Sequence, residues 1–436
     1  MNQTIDKIRQ ATVALREAER PLRILGLLAW PLAVRDRFLA ADGKQLPQVS
    51  YEQADTAIVE DALKRARPLI AQTGPAQAWL ERIADRIATA NRMLSQVGQT
   101  AFYQTSSQLY GAPRQAPTDS GRTPLELAQR LRRIIDRLSH VDLGAPADPS
   151  ATAAEVAERM RLAVERFFAD AAPAIEVVDN LSANATAGPE RIRIRATARF
   201  TDRDVEQLIH HEAGIHVTTS LNGRHQTDLP ILAASHPGTT RTQEGLAVFA
   251  EFITGCMDLD RLSRLADRVL GIHMAVEGAD FVEVYRHFLD QIQARDGATD
   301  NETALAQRKA AFEQTRRVFR GGVLTGGAPF TKDVVYLDGL LRVHDFLRSV
   351  VAAGRADVLM LLFCGKLDID DVPTLGKLAD MGLVRPPRFL PGWAADRRFL
   401  VSYLAYSGFL GRVRMGQVHE HYTDLLRHVP EVRFAA

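Results

Sequence analysis

Apolar residues recur at i, i+3, i+4 and i+7 along almost the whole of this 436-residue chain, and the pattern fails in one region only. Residues 78–97, 124–138, 153–169 and 334–351 each carry the broad apolar stripe of a core-facing helix. Thr123 before Pro124 offers a cap followed by proline in the first turn, and Ser150 precedes Glu155 at the start of another stripe. The exception spans residues 175–197. Segments 175–178, 182–186 and 192–197 are short, β-branched and partly alternating, with Gly188-Pro189 between the last two. They read as a small sheet containing a hairpin. The expected fold class is therefore α+β, predominantly α-helical. Residues 144–149, rich in proline and alanine, read as a linker and place a boundary near 148. An all-helical N-terminal region, 1–148, precedes a second unit, 149–436.

Composition narrows the function classes. With 54 Lys+Arg against 53 Asp+Glu the net charge is +1, which gives no whole-protein field for nucleic acid or an anionic membrane surface. The first residues lack the basic-then-apolar order of a signal peptide. The apolar run 24–34 is about half a membrane span and contains Pro31. Cys256 and Cys364 have no metal-type or redox spacing and read as buried thiols. The expectation is a cytoplasmic protein with neither nucleic-acid nor membrane partners.

The chemistry-bearing residues follow the sheet. Thr201 and Asp202 can cap a helix over about 204–219 that carries His210-His211-Glu212-Ala213-Gly214-Ile215-His216. After His216 come 27 residues and then Glu244-Gly245-Leu246-Ala247, the opening of another helix. Two histidines and a glutamate form a catalytic zinc set with one position left for water. Glu212, directly after the first histidine, has the place of the general base in helical H-E-x-x-H sites.

The spacing poses a geometric problem. Residues five apart on a regular helix diverge by about 140°, so His211 and His216 cannot meet one ion there. A π-type turn at 213–215, next to the poor helix former Gly214, restores a common face. Pairing Glu212 with His216 instead keeps a regular helix but leaves His211 idle and removes the base. Glu251, two turns beyond Glu244, either orients a metal-bound histidine or is a solvated helix acid. His210 points away from His211 by about a quarter turn and reads as a surface or supporting residue.

Taken with Asn222-Gly223, Thr242-Gln243 and the later Phe330-Thr331-Lys332-Asp333-x-x-Tyr336-x-x-Gly339, these motifs resemble the QEGLA-motif family. Its bacterial members are called flavohaemoglobin expression-modulating, and its animal relatives are the microtubule-associated tyrosine carboxypeptidases, which remove the C-terminal tyrosine of α-tubulin. The resemblance runs from about 153 to 387. It implies a zincin-like metallopeptidase domain in which one Zn2+ is held by His211, His216 and Glu244, with Glu212 catalytic. The family more often has Ile-Gly-Thr where this chain has Ala213-Gly214-Ile215, a departure that touches packing rather than the metal ligands.

A carboxypeptidase must also hold its substrate's terminal carboxylate. The run Arg316-Arg317-Val318-Phe319-Arg320-Gly321-Gly322, with Thr325-Gly326-Gly327, Lys332 and Tyr336, is the candidate. Glycines let backbone donors approach a ligand, and arginine grips a carboxylate through two bonds. Arg320 and Lys332 are the expected substrate-binding residues, Tyr336 an expected donor to the oxyanion, and His225 a weaker candidate. The same arginines and glycines also describe an ordinary helix C-cap. Either strand 182–186 or strand 192–197 can supply an edge for an extended substrate. The expected function is zinc-dependent removal of a bulky or aromatic C-terminal residue from a peptide or protein. The rivals are a zinc aminopeptidase or endopeptidase and, from another class, a regulatory protein with a structural metal.

Overall fold

The computed structural model describes residues 2–410, apart from 53, 116–120, 139, 142–148, 180, 182–183 and 297–300. Among the described residues seven α-helices come first: α1 (Asn2–Glu19), α2 (Ile24–Leu27), α3 (Leu32–Ala40), α4 (Ala57–Ile70), α5 (Gln77–Ser95), α6 (Ala101–Tyr110) and α7 (Pro124–Asp136). On α1 the buried residues Ile8, Ala11, Leu15 and Ala18 lie on one stripe, the face its sequence period demands. Thr123 caps α7 with a complete capping box to Glu126. The expected linker lies almost wholly among residues outside the described ones, as does residue 148.

Strand β1 (Ala151–Thr152) leads into α8 (Ala153–Phe168), followed by β2 (Ala174–Val178), β3 (Ala185–Ala187), β4 (Arg191–Arg195) and β5 (Arg199–Phe200). The cap of α8 is Thr152, which forms the box with Glu155, and not Ser150. Threonine wins because Glu155 then stands at the third helical position, within reach of the cap backbone. The sheet has the order β2-β4-β3, with β2 parallel and β3 antiparallel to β4, so the expected hairpin is β3–β4. Central β4 is paired on both sides, which removes 192–197 as an edge for a ligand and leaves β3 as an outer strand beside the π-helical segment that carries His211 and His216. Part of the expected segment 182–186 lies outside the described residues.

The chain then runs without a break through α9 (Asp202–Leu208), a π-helical segment (Ile209–Val217) and α10 (Thr218–His225). Thr201 caps α9 through a box with Asp204. The rest is helical: α11 (Pro237–Ile253), α12 (Leu259–Val276), α13 (Phe281–Asp296), α14 (Asn301–Phe319), α15 (Val335–Ala352), α16 (Val372–Asp380), α17 (Gly392–Ala395) and α18 (Arg397–Leu410). Among the described residues the protein is thus predominantly helical, with two small sheets, antiparallel β1-β5 and β2-β4-β3. No helix among the described residues is long and apolar enough to cross a membrane.

One apolar core joins the early helices to the late ones. Ile8, Leu15, Trp79 and Ile87 pack in the same cluster as Leu246, Phe249, Leu337 and Leu347, and each such side chain is worth about 2 kcal/mol over its exposed state. A second contact zone sets the site. Met160, Val164 and Phe168 of α8, with Ile192 of β4, cover Ala213 and Val217 of the π-helical segment. Helices α11 and α15 cross backbone to backbone. A Cβ on Gly245 would lie 2.3 Å from the Gly339 carbonyl oxygen, and one on Gly339 would lie 2.3 Å from that of Arg241.

This crossing makes a stability prediction. Gly245→Ala drives a methyl group into a main chain that cannot yield as a side chain can, so it should cost ~3 kcal/mol or more. Urea unfolding should show a lower midpoint, whereas Gly376→Ala, with open space around it, should leave the midpoint unchanged or raised.

Candidate metal centre

Two imidazoles and one carboxylate converge. His211 and His216 come from the π-helical segment and Glu244 from α11, and their ligand atoms lie within 4.8 Å of one another. The two Nε2 atoms are 3.3 Å apart, and Glu244 Oε2 lies 3.8 Å from His211 Nε2 and 3.7 Å from His216 Nε2. The five-residue spacing is absorbed by π-helical backbone, as expected. The distortion spans Ile209–Val217 rather than a single turn at 213–215. His211, Ala213, Ile215 and Val217 are buried along this segment, so the packing of its apolar residues fixes the wide backbone over its whole length. The convergent donors are His211, His216 and Glu244, and not a Glu212–His216 pair.

Three acceptor atoms aimed at one point are mutually unfavourable unless a cation or protons lie among them. Two imidazoles and a carboxylate suit zinc in kind and number, and among the described residues no fourth donor joins the group. The cluster could hold a metal ion.

Supporting charges surround the ligands. Burial alone would raise the Glu244 carboxyl, but Lys332, whose Nζ lies 2.9 Å from Oε1, and the two histidines hold it well below the usual carboxylate range. Burial lowers His216, with Glu244 opposing. Glu251 is fully buried with Oε1 2.6 Å from His211 Nδ1, which rules out a solvated helix acid. Its oxygens also accept from Arg261, at 2.7 Å from Nε and 2.8 Å from Nη2. Against the burial that would raise it, Arg261 and His211 hold Glu251 well below its ordinary value.

Glu212 stands on the same segment, and burial pushes its carboxyl up to about 7 against the charges of His216 and Lys366. Lys366 is itself buried and lowered to about 8 by that burial. Its Nζ lies 3.4 Å from Gln243 Oε1, an oxygen that also accepts from Thr219 Oγ1 at 2.7 Å. The Gln243 Nε2 atom has no partner among the described residues.

Beyond Lys332 lies a second charged cluster, built on Tyr336 at the start of α15. Its ring is flanked by Arg268 at 4.5 Å, Lys332 at 5.0 Å and Arg317 at 5.8 Å, and its hydroxyl lies 3.4 Å from Arg317 Nη2. Asp333 takes a two-pronged bond from Arg317 at 2.5 and 3.0 Å and faces Arg268 at 3.8 Å. Arg316 pairs with Glu313. Arg320 lies over the Phe330 ring, buried and lowered to about 10 by that burial. Arg320 Nε and Arg268 Nη1 are buried without partners among the described residues.

Other expected residues fall elsewhere. His225 is exposed at the end of α10, and His210 is half-buried and lowered by burial. The glycine run does not present backbone donors to a ligand. A Cβ on Gly326 would lie 2.3 Å from the Gly278 carbonyl oxygen, and Gly327 N donates to Ala275 O at 2.7 Å. These glycines permit close packing against the end of α12. Arg261, Arg268 and Lys366 escape sequence reading. The one available signal is the seven-residue separation of Arg261 and Arg268, two turns on one helix face.

The family model described as microtubule-associated tyrosine carboxypeptidase matches residues 36–412. That span contains every residue of the metal cluster and of the Tyr336 cluster. No curated protein matches the chain.

Two solution measurements test the centre. Zinc at 100-fold its dissociation constant should stabilise the protein by about 3 kcal/mol, read as a rise in melting temperature that chelator reverses and that His216→Ala lacks. In chelator, Glu212 stabilises the fold fully below about 4.5, its unfolded value, and that contribution fades as pH rises through about 7. The metal-free wild type should therefore lose more stability between pH 5 and pH 8 than Glu212→Gln does.

Proposed function

We propose, on the premise that the chain belongs to the microtubule-associated tyrosine carboxypeptidase family, as its match over residues 36–412 shows, that it is a zinc-dependent carboxypeptidase. Its substrate is a peptide or protein C-terminus ending in a bulky or aromatic residue. The observation that carries this reading is the convergence of Glu244 from α11 with His211 and His216, which flank Glu212 on one underwound helix.

His211, His216 and Glu244 would hold one zinc ion, which when bound supplies Lewis acidity at a carbonyl and lowers the pKa of a water towards about 7. Glu212 takes the water proton and returns it to the departing amine. Its carboxyl lies between the two histidines on the same segment, where it can accept and release a proton. Tyr336 is the candidate donor to the tetrahedral oxyanion. A three-donor protein set favours this catalytic reading over a structural metal, whose site would be closed by a fourth ligand.

Direction follows from charge. An aminopeptidase needs acidic groups for a free amine, whereas the cluster next to this centre is cationic. Lys332 is engaged by Glu244, so the grip on a terminal carboxylate falls mainly to Arg320 and Arg268, whose unpartnered nitrogens have capacity to spare. Strand β3 offers the edge along which an extended substrate would lie. The buried, unpaired Cys256 and Cys364 fit a reducing cytoplasm.

The decisive experiment incubates wild type and Glu212→Gln with peptides varied at the C-terminus and reads the products by mass spectrometry, with metal analysis alongside. Wild type should release single C-terminal residues, and Glu212→Gln should keep its zinc while losing 10²-fold or more in kcat. Internal cleavage or N-terminal trimming by wild type would refute the proposed direction. Arg320→Met should raise KM about 10–100-fold for free-acid peptides, with little effect on any residual turnover of C-terminal amides.

A further inference from the structure

Helix α12 contributes no metal ligand, yet it reaches the metal cluster through one carboxylate. Arg261 is 6% exposed and Glu251 is wholly buried, so neither side chain is placed there for solubility. Among the described residues Arg261 gives Glu251 both of its bonded nitrogens, Nε to Oε2 at 2.7 Å and Nη2 to Oε1 at 2.8 Å. Glu251 Oε1 then meets His211 Nδ1 at 2.6 Å. The stereochemistry has a direction. A carboxylate whose two oxygens both accept from one guanidinium presents acceptors to its other neighbours. His211 must therefore carry its proton on Nδ1, which leaves the Nε2 lone pair on the side where His216 Nε2 and Glu244 Oε2 wait.

We infer that Arg261 and Glu251 are a positioning pair. Arg261 aligns Glu251, Glu251 fixes the tautomer and ring plane of His211, and His211 thereby offers Nε2 to the metal. The inference rests on the proposed metal site and adds to it the residue that orients one ligand from a different helix. It also divides the labour of α12. Arg261 serves the metal cluster, while Arg268, two turns later on the same face, stands over the Tyr336 ring at 4.5 Å. Two positions on one helix face, two turns apart, thus touch two different parts of the site.

The test measures metal affinity by chelator competition on the full chain and does not depend on turnover. Wild type, Glu251→Gln, Arg261→Lys and Arg268→Lys are compared, with Co2+ absorption reporting ligand geometry. Glu251→Gln retains shape but can turn its amide nitrogen towards His211, and it should weaken zinc 10–100-fold and alter the cobalt spectrum. Arg261→Lys keeps the charge but loses the fork, and should weaken zinc by a smaller factor. Arg268→Lys should leave zinc affinity within twofold of wild type and raise KM instead. Should Glu251→Gln fail to fold, the contrast between Arg261→Lys and Arg268→Lys still decides the matter. Zinc binding by wild type with an unchanged constant and spectrum in Glu251→Gln, or equal constants in the two arginine variants, overturns the positioning pair alone. A wild type that binds no metal overturns the proposed site beneath it.

Discussion

Everything at the centre depends on a helix that is wound too loosely. His211 and His216 can face one point only if the backbone between them closes wider hydrogen-bonded rings than an α-helix does, and such backbone is rarely stable on its own. Its neighbours supply what it lacks. Thr201 fixes where the helix starts, and Met160, Val164, Phe168 and Ile192 press on Ala213 and Val217. Thr218 and Thr219 return their hydroxyls to the carbonyls of Ala213 and Ile215. The small sheet is therefore part of the site even though none of its side chains reaches the ligands. It is the surface against which the underwound segment is held.

The second organising theme is the burial of charge in matched sets. Around the ligands, Glu244 faces Lys332, Glu251 faces Arg261, and Asp333 faces Arg317 and Arg268. Removing either member of such a pair leaves an uncompensated buried charge, which is costly. The pairs also act as instruments of direction. A carboxylate engaged by a guanidinium keeps its orientation, and so does whatever leans on it. Arg320 and Lys366, by contrast, are buried with no ion pair among the described residues.

Local grammar explains what could be read ahead. Thr201, Thr123, the apolar stripes and Gly188-Pro189 act on residues a few positions away, so helix starts and the β3–β4 hairpin were legible in the sequence. His211, Glu212, His216 and Glu244 were legible because their spacing is chemical. What stayed hidden is long-range. Nothing in the sequence ties Arg261 to Glu251 or Lys366 to Gln243, since those meetings are decided by how α12 and the loop after Cys364 dock on α11. The glycines at 326 and 327 misled for the same reason. Local rules grant them freedom for a ligand, and packing against Gly278 and Ala275 uses it. The placement of Ser150 as a cap failed by two residues, which only the reach of Glu155 could settle.

The contact of Gly245 with Gly339 has a consequence for how two parts of the site are spaced. Helix α11 carries Glu244 and α15 carries Tyr336, and where the helices cross no side chain lies between their main chains. Their separation is thus set by the hydrogens of two glycines, the least compressible spacer a polypeptide has. Glu244 and Tyr336 are therefore held apart by main chain alone, a spacing that no change of side-chain rotamer can alter.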